Sequence, residues 1–323
     1  MSRGKRLART GLRVAVSLGI VVYILVDVNT GDLVRALEGV RLEYVAAALA
    51  LYVFTQGLSA YKWSLLGRSV GLVRPFGQYV RFYFIGMFFN LFGVGTIGGD
   101  LARALYLSGG RSRGVAIHSV LFDRVSGLAL LMALGAAALV AFPGYHFPWL
   151  LWVATVFGGT ALLVGWWTSP WIVRVLPVPA FIRRQVEHDL APFWRDSRLL
   201  LRVAAVSLVF HVLQCGVQWT LARAAGTALP FSYCLIMHPL LSVMLALPVS
   251  LGGFGVREGG YLYFLTRLDI DDSIAVTMGL LWFAVTVLSG LIGALFFLAE
   301  GARLPKLRAR PVHAHGRATA TGR

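Results

Sequence analysis

The chain has 323 residues, of which 58% are hydrophobic and only 14% charged, and its mean hydropathy is +0.73. Soluble domains carry about 25% charged residues, so a soluble globular enzyme is excluded, and disorder is excluded because it needs low hydrophobicity. The net charge of +16 would indicate nucleic acid if it formed a folded basic face, but it is gathered at the flanks of apolar runs. Arg3, Lys5, Arg6, Arg9 and Arg13 precede the first run, and Arg303, Lys306, Arg308, Arg310, Arg317 and Arg323 follow the last. Such clusters orient membrane helices and meet anionic lipid headgroups. Cys215 and Cys234 both lie in apolar runs, which offers neither a disulfide framework nor a zinc spacing.

In chain order, residues 1–10 form a basic cytoplasmic segment. The apolar run after it has no small-residue cleavage site, so it is expected to be retained as a crossing at 11–29. Asp32, Glu38 and Glu43 outnumber Arg35 and Arg41 and place the next connector outside. A second crossing at 44–62 leads to Lys62, Arg68, Arg74 and Arg81, a cytoplasmic connector. Phe82–Gly99 then lies between basic connectors on both sides, because Arg103, Arg111 and Arg113 follow it. A full crossing there would break the alternation of sides, so the segment is expected to be a re-entrant hairpin entered from the cytoplasm.

Crossings at 115–141 and 149–168 follow, separated by the turn-forming and aromatic segment Phe142–Trp149. Arg174, Arg183, Arg184, Arg195, Arg198 and Arg202 return the chain to the inside, and 202–223 crosses again. Phe231–Phe264, interrupted by Pro239 and Pro248, begins and ends at outside connectors and is expected to be the second re-entrant hairpin. Asp269, Asp271 and Asp272 mark the outside before the last crossing at 273–299. The expected fold is therefore an all-α polytopic membrane protein with six crossings, two opposed re-entrant hairpins and both termini cytoplasmic. A transmembrane domain at 11–300 divides into halves near 11–141 and 149–299, and 301–323 is a basic tail. Each half runs crossing, crossing, hairpin, crossing, which inverts one half relative to the other, as in the inverted repeats of secondary transporters.

Three motifs carry candidate chemistry. Asn90 precedes Ile97-Gly98-Gly99-Asp100 and Arg103. Irregular backbone at membrane depth is tolerated only against protein or a wet cavity, and Asp100 and Arg103 fall on one face of a helix starting there. Gly252-Gly253 is likewise followed by the opposite charges Arg257 and Glu258. Asp123-Arg124 sits inside an otherwise apolar span, where each charge costs about 2.5–3.5 kcal/mol on insertion scales unless paired or facing a cavity. The competing reading of all three is structural: tight packing of small residues, helix caps and interhelical ion pairs. Gln56, Gln214 and Gln218 are expected to bond helix to helix, whereas Asn90 is expected to line a cavity. His118, His211 and His238 stand singly, without metal spacing, and no nucleotide or hydrolase fingerprint occurs. Neither a metal nor a cofactor is expected.

At these motifs the sequence resembles the lysylphosphatidylglycerol synthase transmembrane-region family, also called flippase-like domain proteins. The resemblance rests on Asn90 with Ile97-Gly98-Gly99-Asp100 and Arg103, on Asp123-Arg124 with Gly127, and on Leu247-Pro248 with Gly252-Gly253-Phe254-Gly255-Val256-Arg257-Glu258-Gly259. Its best-known member is the membrane half of multiple peptide resistance factor, which moves aminoacylated phosphatidylglycerol between leaflets. One departure is visible, since the family often has proline near Val94. The resemblance implies flipping of an anionic or aminoacylated phospholipid, or of a polyprenyl-phosphate-linked sugar, in the cell membrane. The residues themselves supply the expected site. The two opposed hairpins form one midplane cavity at Asn90, Gly98, Gly99, Asp100, Arg103, Asp123, Arg124, Gly252, Gly253, Arg257 and Glu258. There Arg103, Arg124 and Arg257 attract a phosphate, and Asp100, Asp123 and Glu258 hold those arginines or meet a cationic headgroup.

Two alternatives stand beside it. One is a phosphatidylglycerol lysyltransferase, against which the sequence shows no soluble aminoacyltransferase domain after the last span. The other is a non-catalytic membrane partner of a separately encoded synthetase or glycosyltransferase. Paired charges within the spans favour transport over anchoring.

Overall fold

The computed structural model describes residues 30–92, 97–109, 113–175, 193, 196–246, 253 and 255–303. The expected crossing at 11–29, the segments 1–10 and 304–323, Val94 and Gly252 lie outside them, as do Arg183, Arg184 and Arg195. Every regular element among the described residues is helical. In order these are α1 Thr30–Glu38, α2 Leu42–Ser69, α3 Phe76–Phe92, α4 Ile97–Ser108, α5 Arg113–Ala141 and α6 Trp149–Val175. They are followed by α7 Ser197–Ala224, α8 Phe231–Ala246, α9 Val256–Leu265 and α10 Asp272–Ala299. Short 3-10 turns occupy Pro143–Tyr145 and Thr266–Leu268.

Helices α2, α5, α7 and α10 are long and apolar enough to cross a membrane. Each has 28 or 29 residues, about 42 Å at 1.5 Å per residue, against a hydrocarbon core of about 30 Å. In α6 the apolar stretch is Trp149–Leu162. The two segments expected to be hairpins are each a pair of shorter helices: α3 and α4 on either side of 93–96, and α8 and α9 on either side of 247–255.

Helix α2 corrects one sequence expectation. It does not stop at Lys62 but continues to Ser69, so Lys62 belongs to the helix and is buried, with 6% of its surface exposed. The stop is a glycine C-cap: Leu72 N–H donates to Gly67 O at 2.9 Å and Gly71 N–H to Arg68 O at 3.1 Å. Gly71 has φ +81°, which a side chain would oppose. Helix α7 ends the same way, with Thr227 N–H on Ala222 O and Gly226 N–H on Arg223 O. At its start the Asp196 carboxylate accepts from the main-chain N–H groups of Arg198 and Leu199, satisfying two donors that helix geometry leaves open.

The series α2–α5 and α7–α10 correspond element by element. Their helices have 28, 17, 12 and 29 residues in the first series and 28, 16, 10 and 28 in the second. Packing follows the same exchange. Helices α2 and α7 pack on each other, α3 packs most extensively on α10, and α8 most extensively on α5. The α2–α7 seam is bridged by Gln214 Nε2 donating to Thr55 Oγ1 at 3.0 Å, the helix-to-helix role expected of that glutamine. Gln218 also bonds another helix, accepting from Tyr261 OH of α9. Glycines carry the other two seams. A Cβ on Gly293 of α10 would collide with Phe84 O of α3, and one on Gly135 of α5 would lie 2.9 Å from Pro239 Cβ of α8.

Candidate functional site

The α3–α4 hairpin is closed at its tip by side chain and glycine together. Asn90 Oδ1, near the end of α3, accepts from Gly99 N–H at 2.9 Å. That N–H is one of those a helix start leaves free. The main chains of Gly86 and Gly99 touch so closely that a Cβ on Gly99 would collide with Gly86 O and with the Asn90 carboxamide. Gly99 is thus required by close approach, while Gly98 is exposed on the first turn of α4. Asn90 both bonds the helix and lines the cavity described below.

Beyond the tip, three helices converge their charges. Arg103 of α4 lies 3.0 Å from Asp123 Oδ2 of α5 through Nη1, and 3.1 Å from Asp100 Oδ1 through Nε and Nη2. Lys62 of α2 lies 2.9 Å from Asp123 Oδ1 and donates to Asp123 main-chain oxygen at 3.0 Å. Arg124 pairs with the other oxygen of Asp100. Lys62, Arg103 and Asp123 are all buried. Charges taken out of water are tolerated when each has a close partner of opposite sign, and here the pairing is continuous from Lys62 to Arg124. The Arg103 guanidinium also lies over the rings of Trp63, at 5.0 Å, and Tyr83, at 5.2 Å. Trp63 is held in turn by its indole N–H on Ser119 Oγ. Three cations against two carboxylates leave the cluster with a formal charge of +1.

This cluster lines a cavity of about 350 Å³. Its wall includes Lys62, Tyr83, Asn90, Gly99, Asp100, Arg103, Asp123, Arg124 and His211, with Ser242 contributed by α8. Arg124 differs from its buried neighbours because its side chain is 40% exposed. It shares a face of α5 with Ile117 and Leu121, which are 43% and 52% exposed and sit seven and three residues before it. An arginine therefore stands on an apolar stripe of the helix surface and reaches back to a buried carboxylate.

The second motif has a different arrangement. Glu258 Oε2 accepts from Gly255 N–H at 2.7 Å, capping its own helix. Arg257 Nη1 lies 3.7 Å from Glu258 Oε1, and its guanidinium stacks 5.1 Å over Phe283 of α10. Gly253, at φ +83°, packs beneath the arginine, and its oxygen accepts the Arg257 N–H. Neither Arg257 nor Glu258 lines the cavity that holds Arg103. The single cavity expected from sequence thus collects Asn90, Gly99, Asp100, Arg103, Asp123 and Arg124 but not Arg257 and Glu258. Arg103 meets a carboxylate on the following long helix, whereas the corresponding contact of Arg257 is an aromatic ring.

The family model described as "Lysylphosphatidylglycerol synthase TM region" matches residues 11–293. The chain belongs to this family. It is accordingly a multi-pass α-helical membrane protein of the lysylphosphatidylglycerol synthase transmembrane-region family, in agreement with the sequence resemblance. A comparison with curated proteins gave no match. For this family member, the residue that sequence reasoning missed is Lys62. In the sequence its charge reads as part of a connector because Arg68, Arg74 and Arg81 follow it. The available signal was its spacing: it lies seven residues after Thr55 and three after Ser59, on the polar face of α2 that both residues help to form.

Proposed function

We propose that this protein moves an anionic lipid, a phospholipid or a polyprenyl-phosphate-linked lipid, between the leaflets of a cell membrane, binding its phosphate in the cavity beside Arg103 and Arg124. The observation that carries the reading is the Arg124–Asp100–Arg103–Asp123–Lys62 chain. It places a net positive charge on a cavity wall and extends it to an apolar helix face. An acyl chain can remain against that apolar face while the headgroup meets the cations, so the whole amphiphile need not leave the bilayer. The matched series of helices and their exchanged packing support two halves of opposite orientation, with α3–α4 and α8–α9 as re-entrant hairpins, and the basic flanks of the sequence support cytoplasmic termini. Arg257 would then serve the opposite half of the path.

The test is transfer of fluorescent phosphatidylglycerol across vesicles containing the purified protein, read by chemical quenching of the outer leaflet. Wild-type protein is expected to speed transfer well above protein-free vesicles. Arg124→Gln should slow it by about tenfold or more, the equivalent of one charge-assisted hydrogen bond of about 1.5–3 kcal/mol. Transfer no faster than in protein-free vesicles would overturn the reading.

A further inference from the structure

His211 of α7 also lines the cavity, and the cation cluster leaves it unused. It is 7% exposed, and its Nε2 lies 3.0 Å from Gly127 O. A carbonyl oxygen only accepts, so Nε2 carries the hydrogen and Nδ1 is left as a bare lone pair. No hydrogen-bond donor among the described residues reaches Nδ1. Gly127 joins the ring to the charges, since a Cβ placed on it would lie 3.2 Å from Lys62 Nζ.

We propose that His211 Nδ1 is a proton-binding site of the cavity, and that an anionic headgroup enters together with one proton. This rests on the reading that the cavity takes a lipid phosphate. The charged and titratable groups around the ring come from each packed helix. They are Lys62 of α2, Asp123 and Arg124 of α5 and His238 of α8, with Tyr83 of α3 and Asp100 and Arg103 of α4 on the cavity wall. Helix α10, which also packs on α7, has Asp272 as its one charged residue, at its first position. The Lys62-to-Arg124 cluster already carries a formal +1, so a second cation at His211 is disfavoured while the cavity holds no anion. A phosphate in the cavity reverses that balance. By linkage, whatever the anion adds to proton affinity the proton adds to anion affinity. The ring of His238 has its centroid 6.2 Å from that of His211, yet it does not line the cavity. The proton is therefore assigned to His211.

The test is calorimetric binding of short-chain phosphatidylglycerol to the full chain in detergent, repeated in buffers of different ionisation enthalpy between pH 6 and 8. The phosphodiester stays charged throughout, so any proton taken up belongs to the protein. Wild-type protein should take up as much as one proton per lipid and bind more tightly as pH falls, approaching tenfold per pH unit at full uptake. His211→Gln, which keeps a donor for Gly127 O, should bind without uptake and without pH dependence, while His238→Gln should behave as wild type. Binding by wild-type protein without proton uptake overturns the proposal whatever the variants do. Uptake that persists in His211→Gln, or disappears in His238→Gln, overturns the assignment. Lipid binding at no pH would instead sink the cavity reading itself, and this inference with it.

Discussion

Lys62 and Asp123 are joined twice, once through the carboxylate at 2.9 Å and once through the main-chain oxygen at 3.0 Å. The lysine thus fixes both the charge and the backbone of α5 at the point where Arg103 arrives from the hairpin. Asp123 is the shared anion of two buried cations, whereas Asp100 is shared by Arg103 and the half-exposed Arg124.

Asp123→Asn should therefore be the most damaging neutralisation in the cluster. It leaves Lys62 without a carboxylate and Arg103 with Asp100 alone, and breaking buried pairs in this way costs about 3–5 kcal/mol. Asp100→Asn should cost less, because Arg124 can turn to solvent or headgroups. Thermal unfolding in detergent, ranking the two variants, checks this order.

The pairing pattern also selects which double variant compensates. Removing Arg124 along with Asp100 takes away one charge of each sign and leaves Arg103 on Asp123. Asp100→Asn with Arg124→Gln should then recover most of the stability lost by Asp100→Asn. Lipid transfer should stay low, since the exposed cation is gone. Equal melting temperatures for single and double variants would remove the ion pair from the stability account.

Gly99→Ala should open the hairpin tip, because its methyl group would collide with Gly86 O and the Asn90 carboxamide. Overpacking of this kind costs about 1–3 kcal/mol. Gly57→Ala is the matched control: a Cβ there meets nothing within 4 Å, and alanine in an open helix position gains up to about 1 kcal/mol. Denaturation curves for the two variants should move in opposite directions.

Sidedness can be read with single cysteines, since Cys215 and Cys234 are buried and should not react with membrane-impermeant reagents. Asp271→Cys is expected to label only from outside and Val73→Cys only from the cytoplasm, both positions being exposed. Labelling of both from one face would break the proposed orientation.

Much of this arrangement was legible in the sequence because bilayer physics writes long apolar runs and flanking charges. The spans at 44–62, 115–141, 202–223 and 273–299 fall within α2, α5, α7 and α10. Glycine pairs followed by charges located both interrupted helices. What spacing could not show was which charges meet. Arg103 and Asp123 are twenty residues apart, and Lys62 lies sixty-one before Asp123, so only the packing of α2, α4 and α5 unites them. The likeness of the two motifs also concealed a difference, because Phe283 occupies the place beside Arg257 that Asp123 occupies beside Arg103.

The seat of α3 on α10 has a bearing on biogenesis. The glycine surface that receives Phe84 and Leu91 is formed by Gly290 and Gly293, and a ribosome delivers it about two hundred residues after the hairpin itself. The N-terminal hairpin must therefore wait in the bilayer without its main neighbour until α10 has been made. Helix α8 faces no such delay, since its seat on α5 already exists when it emerges. Assembly of the two halves is sequential in time although their helices are matched in space, and a nascent chain stopped before α10 should expose its first hairpin to membrane quality-control proteases.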